Sequence, residues 1–217
     1  MDKISFSSRL FSGGLTLLLS VPLWSQTFDI GRVSQVKNTV SSLELSPPHK
    51  TQALLALNET IKTDHSYLTN EDAEFTIRVF DNSWIRVNPS SKISFEYDPE
   101  VRTLDLNLYS GSVKILISKN LNPNGLEQIT INSVDARLES SEGKFVVSRN
   151  GLTETSHVFV EKGTVLGTLT ERVKDFGLIS VITHTGETSS FKDRDSNFSS
   201  VRKMNKEELK LIERTRR

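Results

Sequence analysis

Glu74-Phe75-Thr76-Ile77-Arg78-Val79 and, after Phe80-Asp81-Asn82-Ser83, Trp84-Ile85-Arg86-Val87-Asn88 decide the fold of this chain. Apolar and polar side chains alternate with period two in both runs, the pattern of a strand with one face on a core and the other towards water. The short polar residues between them stand where a backbone reverses. With Phe75, Ile77, Val79, Ile85 and Val87 turned inward, Arg78, Trp84 and Arg86 turn outward. If the two strands pair, those three form a strip of two guanidiniums and an indole, suited to a partner protein or an anionic polymer. The ordinary alternative is that Trp84 covers an edge of the core and the arginines make a solvated face.

The same alternation recurs outward from this stretch. It appears in Ile93, Phe95 and Tyr97, in Leu104, Leu106 and Leu108, and in Val113, Ile115 and Ile117. Further on come Ile129 and Ile131, Ala136 and Leu138, Phe145 and Val147, Val158 and Val160, and Ile179 and Val181. Turn residues separate the runs at Asn88-Pro89-Ser90-Ser91, Tyr109-Ser110-Gly111-Ser112, Asn122-Pro123-Asn124-Gly125, Ser141-Glu142-Gly143, Asn150-Gly151, Lys162-Gly163 and Thr185-Gly186. Strand-and-turn units of about ten residues predict an all-β domain, a short-stranded antiparallel sandwich, roll or compact β-solenoid. No amphipathic helical run recurs between the strands, which excludes a doubly wound parallel sheet. Thr51 to Leu57, after Pro47-Pro48, reads either as a short helix or as a strand leading into a turn.

The ends of the chain differ from this body. Lys3 and Arg9 precede an uncharged span from Leu10 to Phe28 with an apolar centre of Leu15, Leu17, Leu18, Leu19, Val21, Leu23 and Trp24. A basic start, an apolar centre and small residues after it make residues 1–25 a signal peptide, cleaved after Ser25. An uncleaved anchor and a buried helix remain the alternatives. The domain division is therefore 1–25, a β domain over 26–200, and a basic tail over 201–217. The whole chain balances 27 basic against 27 acidic residues, so the bulk charge of a nucleic-acid binder is missing. The body carries five more acidic than basic residues and the tail four more basic than acidic, a polarity that suits a tail lying on its own body or on an acidic partner. Arg202, Lys203, Lys206, Lys210 and Arg214 are the candidate tail contacts. Asn205-Lys206-Glu207-Glu208 has the form of a helix N-cap, with Leu209 and Ile212 three apart behind it, so a short helix there would have to dock to persist.

Several of these residues together resemble the core of the FecR-like domain of bacterial envelope proteins. They include Ile61-Lys62-Thr63, Ala73-Glu74-Phe75, Val79-Phe80-Asp81-Asn82-Ser83, Ile85-Arg86-Val87-Asn88-Pro89-Ser90-Ser91 and Leu106-Asn107-Leu108-Tyr109-Ser110-Gly111-Ser112-Val113. The strand pairs around Lys144 to Val147 and His157 to Thr164 look like its later repeats, and the likeness runs roughly from Ile30 to Phe191. Asn82 stands where the family favours glycine, and Asn58-Glu59 replaces its glycine-aspartate pair; asparagine tolerates the left-handed backbone such turns require. The match is poor at Ser140 to Phe145. The resemblance implies an extracytoplasmic β-rich domain, here without the cytoplasmic and transmembrane parts of the regulators that relay a transport signal to a sigma factor.

Catalytic patterns are sparse. The chain has no cysteine, and His49, His65, His157 and His184 form no metal-spaced pair. Asp64-His65-Ser66 holds the residue types of a nucleophilic triad, but neighbours in an extended chain point to opposite faces. Asp193-Arg194-Asp195-Ser196-Asn197 opens like a calcium loop and then fails, with Phe198 at its glycine position. No catalytic residue, metal or cofactor is implied. The reading is an exported, non-enzymatic binding or scaffolding module of the cell envelope, periplasmic or surface-exposed, whose partner is an envelope protein or glycan. A self-assembling structural protein is the second reading, and an envelope hydrolase the third.

Overall fold

A computed structural model describes residues 27–45, 52–80, 82–118, 125–170, 180–192 and 198–205. Every regular element among them is a strand. The first eight are β1 (Asp29–Lys37), β2 (Val40–Glu44), β3 (Gln52–Leu54), β4 (Thr60–Lys62), β5 (His65–Thr69), β6 (Glu74–Val79), β7 (Ser83–Val87) and β8 (Lys92–Asp98). The other eight are β9 (Thr103–Ile117), β10 (Gln128–Asn132), β11 (Ala136–Ser140), β12 (Gly143–Asn150), β13 (Thr155–Leu169), β14 (Ser180–His184), β15 (Glu187–Lys192) and β16 (Phe198–Lys203). Of the two readings open for Thr51 to Leu57, the strand is realised, as β3. The signal peptide, the calcium-like run at 193–197 and the short helix after Asn205 lie outside the described residues.

The strands form two layers folded over one core, a β-roll. One layer, the front, runs β4-β1-β6-β7-β9-β12-β13-β15-β16. The back layer runs β3-β2-β5-β8-β9-β10-β11-β13-β14. All neighbours are antiparallel except β9 and β10, which pair in parallel with Leu104 opposite Ile129. The 15-residue strands β9 and β13 belong to both layers and join them into one 16-stranded network.

Each long strand changes layer at a glycine. Gly111 in β9 has φ 86° and Gly163 in β13 has φ 92°, backbone that a Cβ disfavours. Both also approach a turn closely. A Cβ on Gly111 would fall 2.5 Å from the Ser91 Cα, and one on Gly163 would fall 2.7 Å from the Glu142 carbonyl oxygen. The Ser91 turn is itself pinned: the Thr69 hydroxyl donates to the Asn88 carbonyl at 2.7 Å, and the Ser112 amide donates to Ser91 Oγ at 2.9 Å. Side-chain hydrogen bonds thus hold the Pro89 reversal against the strand that crosses behind it.

The alternation seen in sequence fills the space between the layers. Phe75, Ile77, Val79, Ile85 and Val87 of the front layer and Ile93, Phe95, Leu104, Leu106, Ile129 and Ile131 of the back layer are all fully buried in one cluster. Tyr67 of β5 bridges the layers, its ring centroid 6.0 Å from both Phe75 and Phe95. Each such aromatic contributes about 1.5–3 kcal/mol by leaving water. Burial also pushes the Tyr67 phenol well above its ordinary value, so it remains a neutral donor and acceptor.

Candidate functional site: the outer side of the front layer

β6 and β7 pair with Ile77 opposite Ile85, which sets Arg78 opposite Trp84 and Thr76 opposite Arg86. With Ile77 and Ile85 inside, the register places Arg78, Trp84 and Arg86 together on the outer side. Arg78 is exposed there, while Trp84 and Arg86 are half-buried. The Arg86 guanidinium lies 6.0 Å from the centre of the Trp84 ring, the outer reach of a cation–π contact, and its Nε donates to Thr76 Oγ1 at 3.4 Å. Arg78 Nη2 donates to Asn82 Oδ1 at 2.6 Å. These contacts hold two cations and an aromatic ring on paired strands, so little side-chain freedom remains to be lost when a ligand binds.

The three residues line a groove of about 460 Å³ together with Ser34, Gln35, Thr76 and Asn82. A second depression of about 390 Å³, lined by Gly31, Arg32, Arg78, Phe80 and Asn82, shares Arg78 and Asn82 with it. The combined surface suits a carboxylate or other anion with an apolar or ring-shaped neighbour. A cavity of about 470 Å³ beside the end of β9, the start of β12 and the Gly163 crossing in β13 is lined by Glu142 and Lys162, of opposite charge, and by Gly143 and Gly163. It gathers no set of like chemistry.

The groove is one end of a row of cross-strand neighbours spanning the front layer. Gln35, Thr76, Arg86, Lys114, Val146, Phe159, Thr188 and Arg202 stand opposite one another in turn. In the middle of the row Lys114 is 1% exposed, although it points away from the core that Val113 and Ile115 enter. Its ammonium meets the Glu161 carboxylate at 2.6 Å, and Lys144 meets the other oxygen of that carboxylate at 2.7 Å. Burial alone would raise the Glu161 carboxyl, but the hydrogen bonds and charges of the two lysines outweigh it and hold the group below its ordinary value. Val146 and Phe159 form a second apolar cluster beside them, with Met204 packed against it.

Among the tail contacts expected from sequence, Arg202 and Lys203 lie in β16, opposite Thr188 and Glu187 of β15, and Lys206, Lys210 and Arg214 lie outside the described residues. Asp64 and His65 do meet, His65 Nδ1 being 2.5 Å from Asp64 Oδ1, while Ser66 is buried on the other side of the strand. Burial raises the Asp64 carboxyl, but hydrogen bonds from His65 and Thr27 and the nearby His65 charge leave it below its ordinary value. Asp98 accepts the Glu100 and Val101 amides in a turn. Among the described residues no three His, Asp or Glu side chains converge as metal ligands.

Two polar constructions were not found from sequence. One is the Lys114–Glu161–Lys144 set, whose only trace is a lone lysine inside Val113-Lys114-Ile115-Leu116-Ile117. The other is Asp135, fully buried after β10, which accepts the Ser156 hydroxyl at 2.8 Å and pairs with Arg149 at 3.3 Å. Its position in Ser133-Val134-Asp135 looks like an ordinary polar turn.

A two-layer β-roll with an open cationic and aromatic groove fits a non-catalytic regulatory or binding module. Residues 65–166, from the start of β5 into β13, match the family model described as FecR protein. Two crystal structures, each described as "a putative anti-sigma factor from Parabacteroides distasonis ATCC 8503", superpose with TM-score 0.53 at 11% identity. The alignments cover 68% and 67% of this chain and only 63% and 62% of theirs, a likeness of fold alone. No curated protein matches the chain. Among the described residues no helix is long and apolar enough to cross a membrane.

Proposed function

We propose that this protein is an exported binding module of the bacterial cell envelope, periplasmic and without catalytic activity. In this reading the Arg78, Trp84 and Arg86 groove captures an acidic segment of another envelope protein. The observation that carries it is the groove itself: two guanidiniums and an indole held on one side of paired strands, with Arg86 packed over Trp84 and Arg78 tied to Asn82. Arginine and tryptophan dominate binding energy where they are pre-positioned, because each offers a large contact area and directional donors. Two guanidiniums also select for carboxylates, to which each can present parallel N–H donors.

The test is capture from a solubilised envelope fraction by the full chain and by Trp84→Ala and Arg86→Ala, with purified envelope glycans as a separate arm. Each substitution is expected to weaken capture of a protein ligand by about 2 kcal/mol, roughly 30-fold, without altering the unfolding curve. Equal capture of every ligand by both variants rejects the groove as the site, and a loss confined to the glycan arm replaces the protein partner with a carbohydrate. The reading of self-assembly draws on the layer edges. Among the described residues the back layer ends on β3 and β14, where Leu54 is 68% and Ile182 52% exposed, apolar groups on edges that could receive another strand.

A further inference from the structure

Like charges set directly opposite each other on neighbouring strands repel, and a sheet carries such a pair at a cost unless an opposite charge lies between them. β1 and β6 make one. Their register sets Arg32 opposite Arg78, with Thr60 of β4 beyond Arg32 and Trp84 of β7 beyond Arg78. Val33, Ile77 and Val79 enter the core, so both arginines stand on the outer side, where both are exposed. Among the described residues no carboxylate forms an ion pair with either. The acidic residues of the same strands face other groups: Asp29 of β1 stands opposite Lys62 and Glu74 of β6 opposite Lys37. Glu59, just before β4, accepts the Ala56 amide at 2.7 Å.

The local backbone shapes a place for an anion between them. Gly31 lets β1 run close to β6, since a Cβ there would fall 2.4 Å from the Arg78 carbonyl oxygen. Asn82, in a left-handed turn at φ 81°, accepts from Arg78 Nη2 at 2.6 Å and so orients that guanidinium. Gly31, Arg32, Arg78, Phe80 and Asn82 line the depression of about 390 Å³. Opposed Cβ atoms on antiparallel neighbours lie about 5 Å apart, so one tetrahedral anion can accept from both guanidiniums. A phosphate group matches them in charge and in donors: it carries about −1.5 to −2 at neutral pH and offers three acceptor oxygens. A carboxylate has one charge and two oxygens, which a single guanidinium satisfies.

We infer that Arg32 and Arg78 form a binding site for a phosphate group, either the free anion or a monoester. The bound dianion relieves the repulsion between the two arginines and takes parallel N–H donors from each. An esterified phosphate would extend its carrier over Phe80 or towards Trp84, one strand beyond Arg78. The site shares Arg78 with the proposed groove but turns on Arg32, which the groove does not use, so it does not depend on what the groove captures.

Isothermal titration of the full chain with inorganic phosphate, phenyl phosphate and acetate, at one ionic strength, tests the inference. Both phosphates are expected to bind, and acetate about ten-fold more weakly or worse. Arg32→Gln and Arg78→Gln should each weaken both phosphates by roughly ten-fold or more. Lys92→Gln, which removes one exposed charge from the back layer, should leave them unchanged. Tighter binding of phenyl phosphate than of inorganic phosphate assigns an esterified ligand, and binding no tighter assigns the free anion. Binding of neither phosphate, acetate binding as well as phosphate, full affinity in Arg32→Gln, or an equal loss in Lys92→Gln each overturn the inference. The titration contains no protein partner, so its outcome is separate from that of capture by the groove. Thermal unfolding is the second measurement. Without phosphate, Arg32→Gln is expected to melt no lower than the wild-type chain, because it removes a like charge, and phosphate should raise only the wild-type midpoint. A lower midpoint for the variant without phosphate, or an equal rise in both chains, also overturns it.

Discussion

The Lys114 ammonium sits 2.6 Å from the Glu161 carboxylate on the outer side of the front layer, with 1% of the lysine side chain and 9% of the glutamate side chain exposed. Charges so far from water are tolerated only as a set, because each ion's lost hydration is offset by its partner. Glu161→Gln removes the carboxylate that Lys114 and Lys144 share, and is expected to cost about 3–5 kcal/mol in urea unfolding at neutral pH. Lys144 is 23% exposed, so Lys144→Met should cost under ~1 kcal/mol. Equal costs for the two would mean that Glu161 is not the centre of the set.

The same set predicts a pH dependence with a definite sign. The Glu161 carboxyl is held below its ordinary value of 4.5, so the folded state prefers it ionised more strongly than the unfolded chain does. The stabilisation it supplies is complete above pH 4.5 and fades as pH falls through the lower folded value. The stability difference between the wild-type chain and Glu161→Gln should therefore be level near neutrality and shrink in acid. Denaturant midpoints measured from pH 7 down to pH 3 check this, and a difference that widens in acid would reverse the sign.

How far the sequence disclosed the molecule depends on which side of each strand is considered. The inward sides were legible because period-two alternation is the direct imprint of a buried face, as with Phe75, Ile77 and Val79, or Ile93 and Phe95. Several turns were legible for the same kind of reason: Asn58 and Asn82 stand at φ 65° and 81°, backbone that asparagine accepts in place of glycine. Which strands are neighbours was not legible. That β9 and β13 each serve two layers follows from the crossings at Gly111 and Gly163, and a glycine in a strand reads equally well as a turn. The grouping of Arg78, Trp84 and Arg86 was legible because two strands joined by a short turn pair locally. Lys114 and Glu161 are 47 positions apart, meet only through the order β9-β12-β13, and leave no local pattern.

Asp105 carries the opposite electrostatic sign. It lies on the outer side of the back layer, opposite Glu96 and Thr130, in a row that continues to Glu139. Burial raises its carboxyl above the ordinary 3.8, with Glu96 and Glu139 adding to the rise while Thr130 and Arg137 oppose it. The ionised form is thus disfavoured by folding, and the penalty is absent below pH 3.8 and complete above the raised folded value. Asp105→Asn, which keeps an acceptor for Thr130, is expected to raise the thermal midpoint near neutral pH and to lose that advantage in acid. A lower midpoint at neutral pH would show that the ionised carboxylate is needed there.

Packing at the far end of the core gives a prediction free of charge. Gly167 of β13 has no positive φ to demand a glycine, yet a Cβ there would fall 2.2 Å from Phe191 Cζ, 2.8 Å from Cε1 and 3.1 Å from Leu138 Cδ2. Phe191 and Leu138 are both fully buried, so neither can swing into water to make room. Gly167→Ala should therefore cost about 1–3 kcal/mol by overpacking. Phe191→Leu removes the ring carbons in the way and alone should cost roughly 1–2 kcal/mol through the space it leaves. Combined, the two changes compensate, because the new methyl enters the space vacated by the ring. The double variant is expected to be no less stable than Phe191→Leu alone in denaturant unfolding, a coupling of at least 1 kcal/mol between residues in contact. Simple additivity would mean that the backbone at Gly167, rather than the Phe191 ring, is what resists the substitution.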